Sequence, residues 1–488
     1  MHRWIAGFLA AFVGAGAACG GSTTIDPVTD AGVVDPSVTD ASVDRQLPDG
    51  EAPGSCERPP APTVCPTPGP APKARDAVTE LLKGIGEPIR CASGSKNLWD
   101  LRGLVDLYGE KRIFMMGEVH GSNEIGIVSS LVFEELAQKG LVNVLGYELP
   151  MDFEAPIQRY VDSGTDPVGE QVVQSLAPNM FGAILTEIAR KQRETGKKIH
   201  VAAVDVPTTT ELPSEALRAL AQKLTTQRGA VLDTLPTYAS DMPTPEELTR
   251  TRTYFDAIMA KKNEICAELT PADCDRLVAM THALWVAAFA YDEGTAQGQE
   301  WFAKREEVIF YNMRMAMPKA EDRMYLHMGA FHTNKHAASA GSRMDKEYAL
   351  TKGKVLSIAP AYGDGSVIRY GRDQRLPGEP RTLTTAFGHE PAQPVFVATN
   401  RPGQTTCETN PLGLEPDEEV VGSGTRGQLY DGYIHYGKLT SEARPNDAVL
   451  TRKDGVIGRT LEAFRARIDR AESAALARRM KVRSAVPR

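Results

Sequence analysis

Short apolar runs that stop abruptly at an ionisable residue dominate the pattern of hydrophobic and polar positions in this chain. Arg112-Ile-Phe-Met-Met-Gly117 leads into Glu118-Val-His120-Gly121, and Val142-Asn-Val-Leu-Gly-Tyr147 ends in Glu148. Ile199-His-Val-Ala-Ala-Val204 ends in Asp205, and Arg323-Met-Tyr-Leu326 leads to His327 and then His332. Runs of this length and apolarity read as strands buried on both faces, as in a parallel sheet covered by helices. After Gly121 the period changes to that of a helix. Ile127, Leu131 and Leu136 with Val128 and Val132 form one apolar face, Ser122 or Asn123 is placed to cap it, Glu124 suits its first turn, and Gly140 ends it. The segment 117–148 is therefore a strand-helix-strand unit with a right-handed crossover. Ligands of open α/β sheets bind beyond the carboxyl ends of the strands. The pattern thus gathers Glu118, His120, Glu148, Asp205, His327 and His332 at one crevice, as an acid/base or metal constellation.

The remaining pattern fills in the fold. Residues 76–83 and 97–108 predict two short helices before the first strand. Helical periodicity over 214–224, 245–266, 272–291 and 299–317 predicts a helical cap insert at about 210–320. Residues 354–358, 366–370 and 428–436 read as strands, and 460–482, within a basic segment 451–488, as an amphipathic helix. The fold class is α/β: a central, mostly parallel sheet flanked by helices, with a helical cap, in a folded domain of residues 75–450.

Composition narrows the function. The chain has 488 residues, 42% of them hydrophobic and 24% charged, which is the balance of a globular protein with a core. A net charge of -8 excludes a nucleic-acid partner, whose capture needs a basic surface. Residues 1–18 combine a basic start, an apolar stretch and small residues, the pattern of an export signal. Gly16-Ala-Ala-Cys19 resembles the bacterial lipobox, with Gly16 where Leu is usual; simple signal cleavage is the alternative. Lipidation of Cys19, followed by Gly20 rather than Asp, predicts a membrane anchor in the bacterial cell envelope, at the outer membrane. Residues 19–74, rich in Pro, Asp and Thr, read as a disordered tether. With Cys19 set aside from the seven cysteines, an even number remains for an oxidising compartment. Cys266 and Cys274 lie between two helical patterns and are placed to staple them; proximity and elimination suggest Cys56–Cys65 and Cys91–Cys407, but the sequence leaves the pairing of these four open. The absence of a CxxC pair argues against a thiolate zinc site, and that of a Gly-x-Ser-x-Gly elbow against a serine hydrolase.

Taken in order, Gly117-Glu118-Val119-His120-Gly121, Glu148-Leu-Pro150, Arg305-Glu-Glu-Val-Ile-Phe-Tyr-Asn312, His327-Met-Gly-Ala-Phe-His332, Ala361-Tyr-Gly363 and Leu429-Tyr-Asp431 resemble the motifs of erythromycin-esterase-like proteins. These belong to a superfamily that also holds ChaN-type haem-uptake lipoproteins and Tiki-like proposed metalloproteases. The resemblance spans roughly residues 95–440. It implies a hydrolase of a small-molecule ester, lactone or related carbonyl compound, with no organic cofactor. His120 would be the general base, Glu118 and Glu148 its carboxylate partners, and His332 a second imidazole. Arg305 would hold a substrate carboxylate or oxyanion, and Asn312, His327 and Asp205 would bind substrate. The chemistry is consistent, because an imidazole takes a proton from water near neutral pH and an adjacent carboxylate steadies the resulting cation. Two departures stand out: Gly329 occurs three before His332 where the esterases have His-Asn-x-His, and Glu306 replaces Asp. A metal-dependent hydrolase holding Zn, Mn or Co on Glu118, His120, Glu148 and His332 is the first alternative. A haem-binding lipoprotein is the second.

Overall fold

Eight strands form the central sheet of the computed structural model. The structure describes residues 82–440, apart from 84, 94–95, 167–179, 208, 239–242, 290–295, 337, 370–371, 377–380, 389–393 and 399–428. The strands are β1 (Glu87–Pro88), β2 (Ile113–Glu118), β3 (Val144–Pro150), β4 (His200–Asp205), β5 (Met324–Gly329), β6 (Val355–Ala361), β7 (Val395–Ala398) and β8 (Gly432–His435). They lie in the order β1-β7-β8-β6-β2-β5-β3-β4. From β8 to β4 all pairings are parallel, and only β7 runs against its neighbours. The four runs that end in ionisable residues are thus adjacent strands, β2-β5-β3-β4. β5, late in the sequence, inserts between β2 and β3.

Helices cover both faces of the sheet. α1 (Asn123–Gln138), α2 (Glu154–Ser163) and α3 (Met180–Gln192) lie on one side; α4 (Glu211–Ala221), α5 (Pro245–Ala260), α6 (Pro271–Ala288) and α7 (Ala296–Ala316), from the insert, lie on the other. Residue parity along each strand decides which layer a side chain meets. Phe114 and Met116 of β2 join Ile125, Val132 and Ile157 in the first core, whereas Ile113 and Met115 join Leu217, Val278 and Ile309 in the second. Two apolar coats explain why β2 is buried at every position.

The junction of β2 and α1 is tied to the far end of the domain. Ser122 takes the N-cap position of α1 without a side-chain capping bond. Instead the Asn123 N–H donates to the Thr440 carbonyl at 3.0 Å. The Glu124 carboxylate accepts from the Thr440 N–H at 2.8 Å and from its hydroxyl at 2.6 Å. Tertiary partners replace the local cap that the sequence predicts. Residues 97–99 also depart from the predicted helix: Lys96–Trp99 pairs antiparallel with Arg90–Ser93. Asp100 then accepts the Arg102 N–H at 3.1 Å and turns the chain into a helix that begins only at Arg102.

The leader, Cys19, the 19–74 tether, Cys56, Cys65, Cys407, the Cys91 side chain and the 451–488 segment lie outside the described residues. Among the described residues no helix is long and apolar enough to cross a membrane. Cys266 and Cys274 are bonded, with Cα atoms 5.0 Å apart, joining helix Lys262–Cys266 to α6. A loop this short loses about 2–3 kcal/mol of unfolded-state entropy on closure. Replacing both cysteines by serine is therefore expected to lower Tm by several degrees while leaving the far-UV spectrum unchanged. An unchanged Tm would show that the bridge carries no stability.

Candidate active site

Parity also sorts the site residues. Glu118 shares the face of Phe114 and Met116, under α1. Glu148 shares the parity of Val144 and turns toward α7. The turn between β2 and α1, which Gly121 allows by adopting φ 81°, brings His120 back between the two carboxylates. His120 Nδ1 is 2.8 Å from Glu118 Oε1, and its Nε2 is 3.5 Å from Glu148 Oε2. On the other side, Glu148 Oε1 lies 3.5 Å from His332 Nε2, and His332 Nδ1 is bonded to Glu306 Oε1. The result is a row in which carboxylate and imidazole alternate: Glu118, His120, Glu148, His332, Glu306. Phe302 of α7 stacks on the last imidazole at 5.6 Å.

The row is pinned from several directions. The Gly329 N–H donates to Glu148 Oε2 at 2.8 Å, and the Ala340 N–H to Glu306 Oε2 at 2.6 Å. A Cβ on Gly329 would lie 3.2 Å from both Glu148 Oε2 and His120 Nε2, so a side chain at this position, where the esterase motif carries one, would press on both groups of the row. Arg305 reaches down from α7 and donates through Nε and Nη2 to the two oxygens of Asp205, each at 2.8 Å, and through Nη2 to Glu148 Oε1 at 2.5 Å. Its Nη1 is buried without a hydrogen-bond partner among the described residues.

The structure places three residues expected at the substrate in supporting positions. Both oxygens of Asp205 are taken by Arg305. Asn312 donates to the Val204 carbonyl at 3.0 Å and ties α7 to the end of β4. His327 is buried, with Nε2 3.0 Å from Glu118 Oε2. Glu306 is the carboxylate that the sequence reading left without a role. Its signal was present, because it sits beside Arg305, but a helix turns its neighbours about 100° apart and periodicity does not say which faces the crevice.

Charge in the row is strongly perturbed. Burial alone would lower both imidazoles, but Glu118 and Glu148 around His120, and Glu306 and Glu148 around His332, outweigh it and push each up to about 9. Burial likewise works against the Glu118 and Glu148 carboxylates. His327 and His120 hold Glu118 far below the usual range, while His120, His332 and Arg305 do so for Glu148. At neutral pH His120 and His332 are thus imidazolium cations beside the ionised Glu118 and Glu148.

Glu118, His120 and Glu148 each present one donor atom within 4.8 Å of the others, a set suited to a divalent ion; His332 is not part of that group. The set is already occupied by protein donors, since Glu148 holds the Arg305 guanidinium and the Gly329 N–H.

Fold and site together define an α/β protein with an imidazole–carboxylate array at the carboxyl edge of a parallel sheet. Compared by sequence, the chain matches no family profile and no curated protein. Among solved structures it is similar to a Bacillus cereus protein, at 13% identity and TM-score 0.53 over 76% of this chain and 99% of that one. It is also similar to a succinoglycan biosynthesis protein, at 14% identity and TM-score 0.54 over 76% and 98%. These two share its fold. An erythromycin esterase mutant in its open conformation, of the family that the sequence motifs resemble, aligns at 12% identity and TM-score 0.49 over 70% of this chain and 94% of that one.

Two predictions follow from the charges. Arg305→Leu leaves Asp205 and Glu148 buried without their cation, and is expected to cost about 3–5 kcal/mol by chemical denaturation. A loss below about 1 kcal/mol would mean that the two carboxylates are satisfied without it. His120 and His332, raised from an ordinary 6.5 to about 9, stabilise the fold fully below 6.5 and lose that contribution as pH rises through about 9. Glu118 and Glu148, lowered from 4.5, contribute above 4.5 and lose their effect in acid. The part of Tm due to the row should therefore be greatest between these ordinary values and decline in alkali. A wild-type Tm that does not fall relative to that of His120→Ala on going from about pH 7 to about pH 10 would contradict it.

Proposed function

We propose that this chain is a hydrolase that activates water against an ester, lactone or related carbonyl group of a small molecule. The observation that carries the proposal is the alternating row, in which two imidazoles share one carboxylate and each is steadied from behind by another. His120 has the most exposed side chain of the set, 15% against 8% or less for the others, and is the group that meets water. With His120 neutral and Glu118 holding its Nδ1–H, Nε2 accepts a proton from the attacking water; Glu118 then stabilises the imidazolium. His332, protonated and oriented by Glu306, donates toward the carbonyl oxygen or leaving group. Arg305, anchored through Nε and Nη2, keeps Nη1 as a further donor for the developing negative charge.

Because the imidazoles interact through Glu148, their protons leave in two coupled steps, and the form with one proton on the pair is the active one. Activity is expected to rise toward about pH 9, where both imidazoles titrate, and to fall beyond it.

A metal-dependent hydrolase is the second reading, favoured by the convergence of Glu118, His120 and Glu148. Against it stands the guanidinium on Glu148, which a bound cation would have to displace or face. Haem capture draws little support from imidazoles that are each held by carboxylates. The proposal puts the protein outside the cytoplasm, lipid-anchored through Cys19 in the outer membrane. The lipobox-like Gly16-Ala-Ala-Cys19 and the Cys266–Cys274 bridge, of a kind that persists in oxidising compartments, support it.

The test is hydrolysis of aryl esters, lactones and macrolides by the purified full chain from about pH 6 to about pH 10, with and without chelator, for wild type, His120→Ala and His332→Ala. The expected result is turnover highest near pH 9 and indifferent to chelator, with kcat/KM reduced at least about 100-fold in each variant. Loss of activity to chelator would establish the metal reading. No turnover of any substrate by folded protein would reject hydrolysis of these compounds.

A further inference from the structure

Glu118 meets a second set of groups on the side away from His120. Its Oε2 lies 3.0 Å from His327 Nε2, close enough for charge pairing although the N–H direction is off the line of a hydrogen bond. The other face of that imidazole is fixed, with Nδ1 2.7 Å from Ser129 Oγ. Ser129 is in turn gripped twice by Tyr325, whose hydroxyl is 2.7 Å from Ser129 Oγ and donates to the Ser129 carbonyl at 2.8 Å. Ser129 and Tyr325 are fully buried, and His327 nearly so. A nucleophilic role for Ser129 is therefore excluded, although its contact with His327 and Glu118 has the connectivity of a Ser-His-Glu triad.

The sheet dictates this set. Tyr325 and His327 are alternate residues of β5 and point to the same face, beneath α1, which carries Ser129. His327 is level with Met116 of β2, one alternation before Glu118, so its ring reaches the carboxylate from below. One oxygen of Glu118 is held by His327, which leaves the other, Oε1, directed at His120 Nδ1. Without that contact Glu118 is anchored, among the described residues, through Oε1 alone, and the orientation of the His120 ring rests on a carboxylate held at one oxygen.

We infer that Ser129 and Tyr325 are positioning residues of the active site, acting through His327 and Glu118 to aim His120. The inference rests on the hydrolase reading for its kinetic consequence, but not for its geometry. Ser130 supplies the control: it is equally buried on the same helix, and among the described residues its hydroxyl bonds only the Gly126 carbonyl, at 2.8 Å.

The experiment uses the full chain as Ser129→Ala, Tyr325→Phe, the double variant and Ser130→Ala. Steady-state kinetics are combined with histidine-selective 15N spectra, in which nine histidines are to be resolved. In both single variants kcat is expected to fall roughly 10-fold with KM within about twofold, and the double variant to be no slower than the worse single one, because the two act as one unit. Ser130→Ala should keep wild-type kcat. In the spectra, Ser129→Ala should move the resonances of both His327 and His120, and Ser130→Ala neither. If the wild type hydrolyses nothing while those resonances move, the hydrolase reading fails and the positioning geometry stands. A folded Ser129→Ala with wild-type kcat, or with an unmoved His120 resonance, overturns the inference.

Discussion

The site depends on one buried guanidinium. Arg305 lies between Asp205 and Glu148, bonded to three carboxylate oxygens, with almost no exposure of its own. Burying such charges is costly, and the mutual attraction of the three groups mostly offsets that cost rather than adding net stability. What the arrangement supplies is geometry. Glu148 becomes an ionised carboxylate that cannot swing away, and the two imidazoles can lean on it from opposite sides. The same contacts draw α7 onto the ends of β3 and β4, so the position of the helical insert and the charge of the site are set by the same bonds.

Two periodicities meet at that point. Strand parity sends Glu118 toward the α1 layer and Glu148 toward the α7 layer, so neither carboxylate alone faces both. His120, on the turn, is the only group of the row that crosses from one layer to the other. Its environment is consequently assembled from parts that are remote in sequence, and its proton affinity reflects all of them.

Much of this was legible before the structure. The four strands, their ionisable ends, the α1 helix with its Gly140 stop and the Cys266–Cys274 bridge all follow from local pattern, because each is decided by residues close in sequence. The order β2-β5-β3-β4 did not follow, since pairing in a parallel sheet is decided by crossovers that leave no local mark. For the same reason Asp205, Asn312 and His327 were expected to face substrate: sequence shows that a polar residue stands at a strand end or on a helix, not whether a guanidinium, a carbonyl or a serine already claims it. Ser129 and Tyr325 were unmarked because a lone hydroxyl on a buried helix or strand looks like any other until its partner is placed, and Glu306 was marked only as a departure from a motif, without a partner.

The Thr440 contact couples the start of α1, beside His120, to the far end of the described residues. Asn123 and Glu124 follow His120 by only a few residues, yet their partners stand 316 or more positions later. Glu124 is buried, and its carboxyl is raised by that burial even with Thr440 in place. Until the last strands dock, the start of α1 therefore holds a carboxyl group that favours water over the core. The turn that carries His120, although early in the sequence, is thus buttressed by a contact from the far end of the described residues.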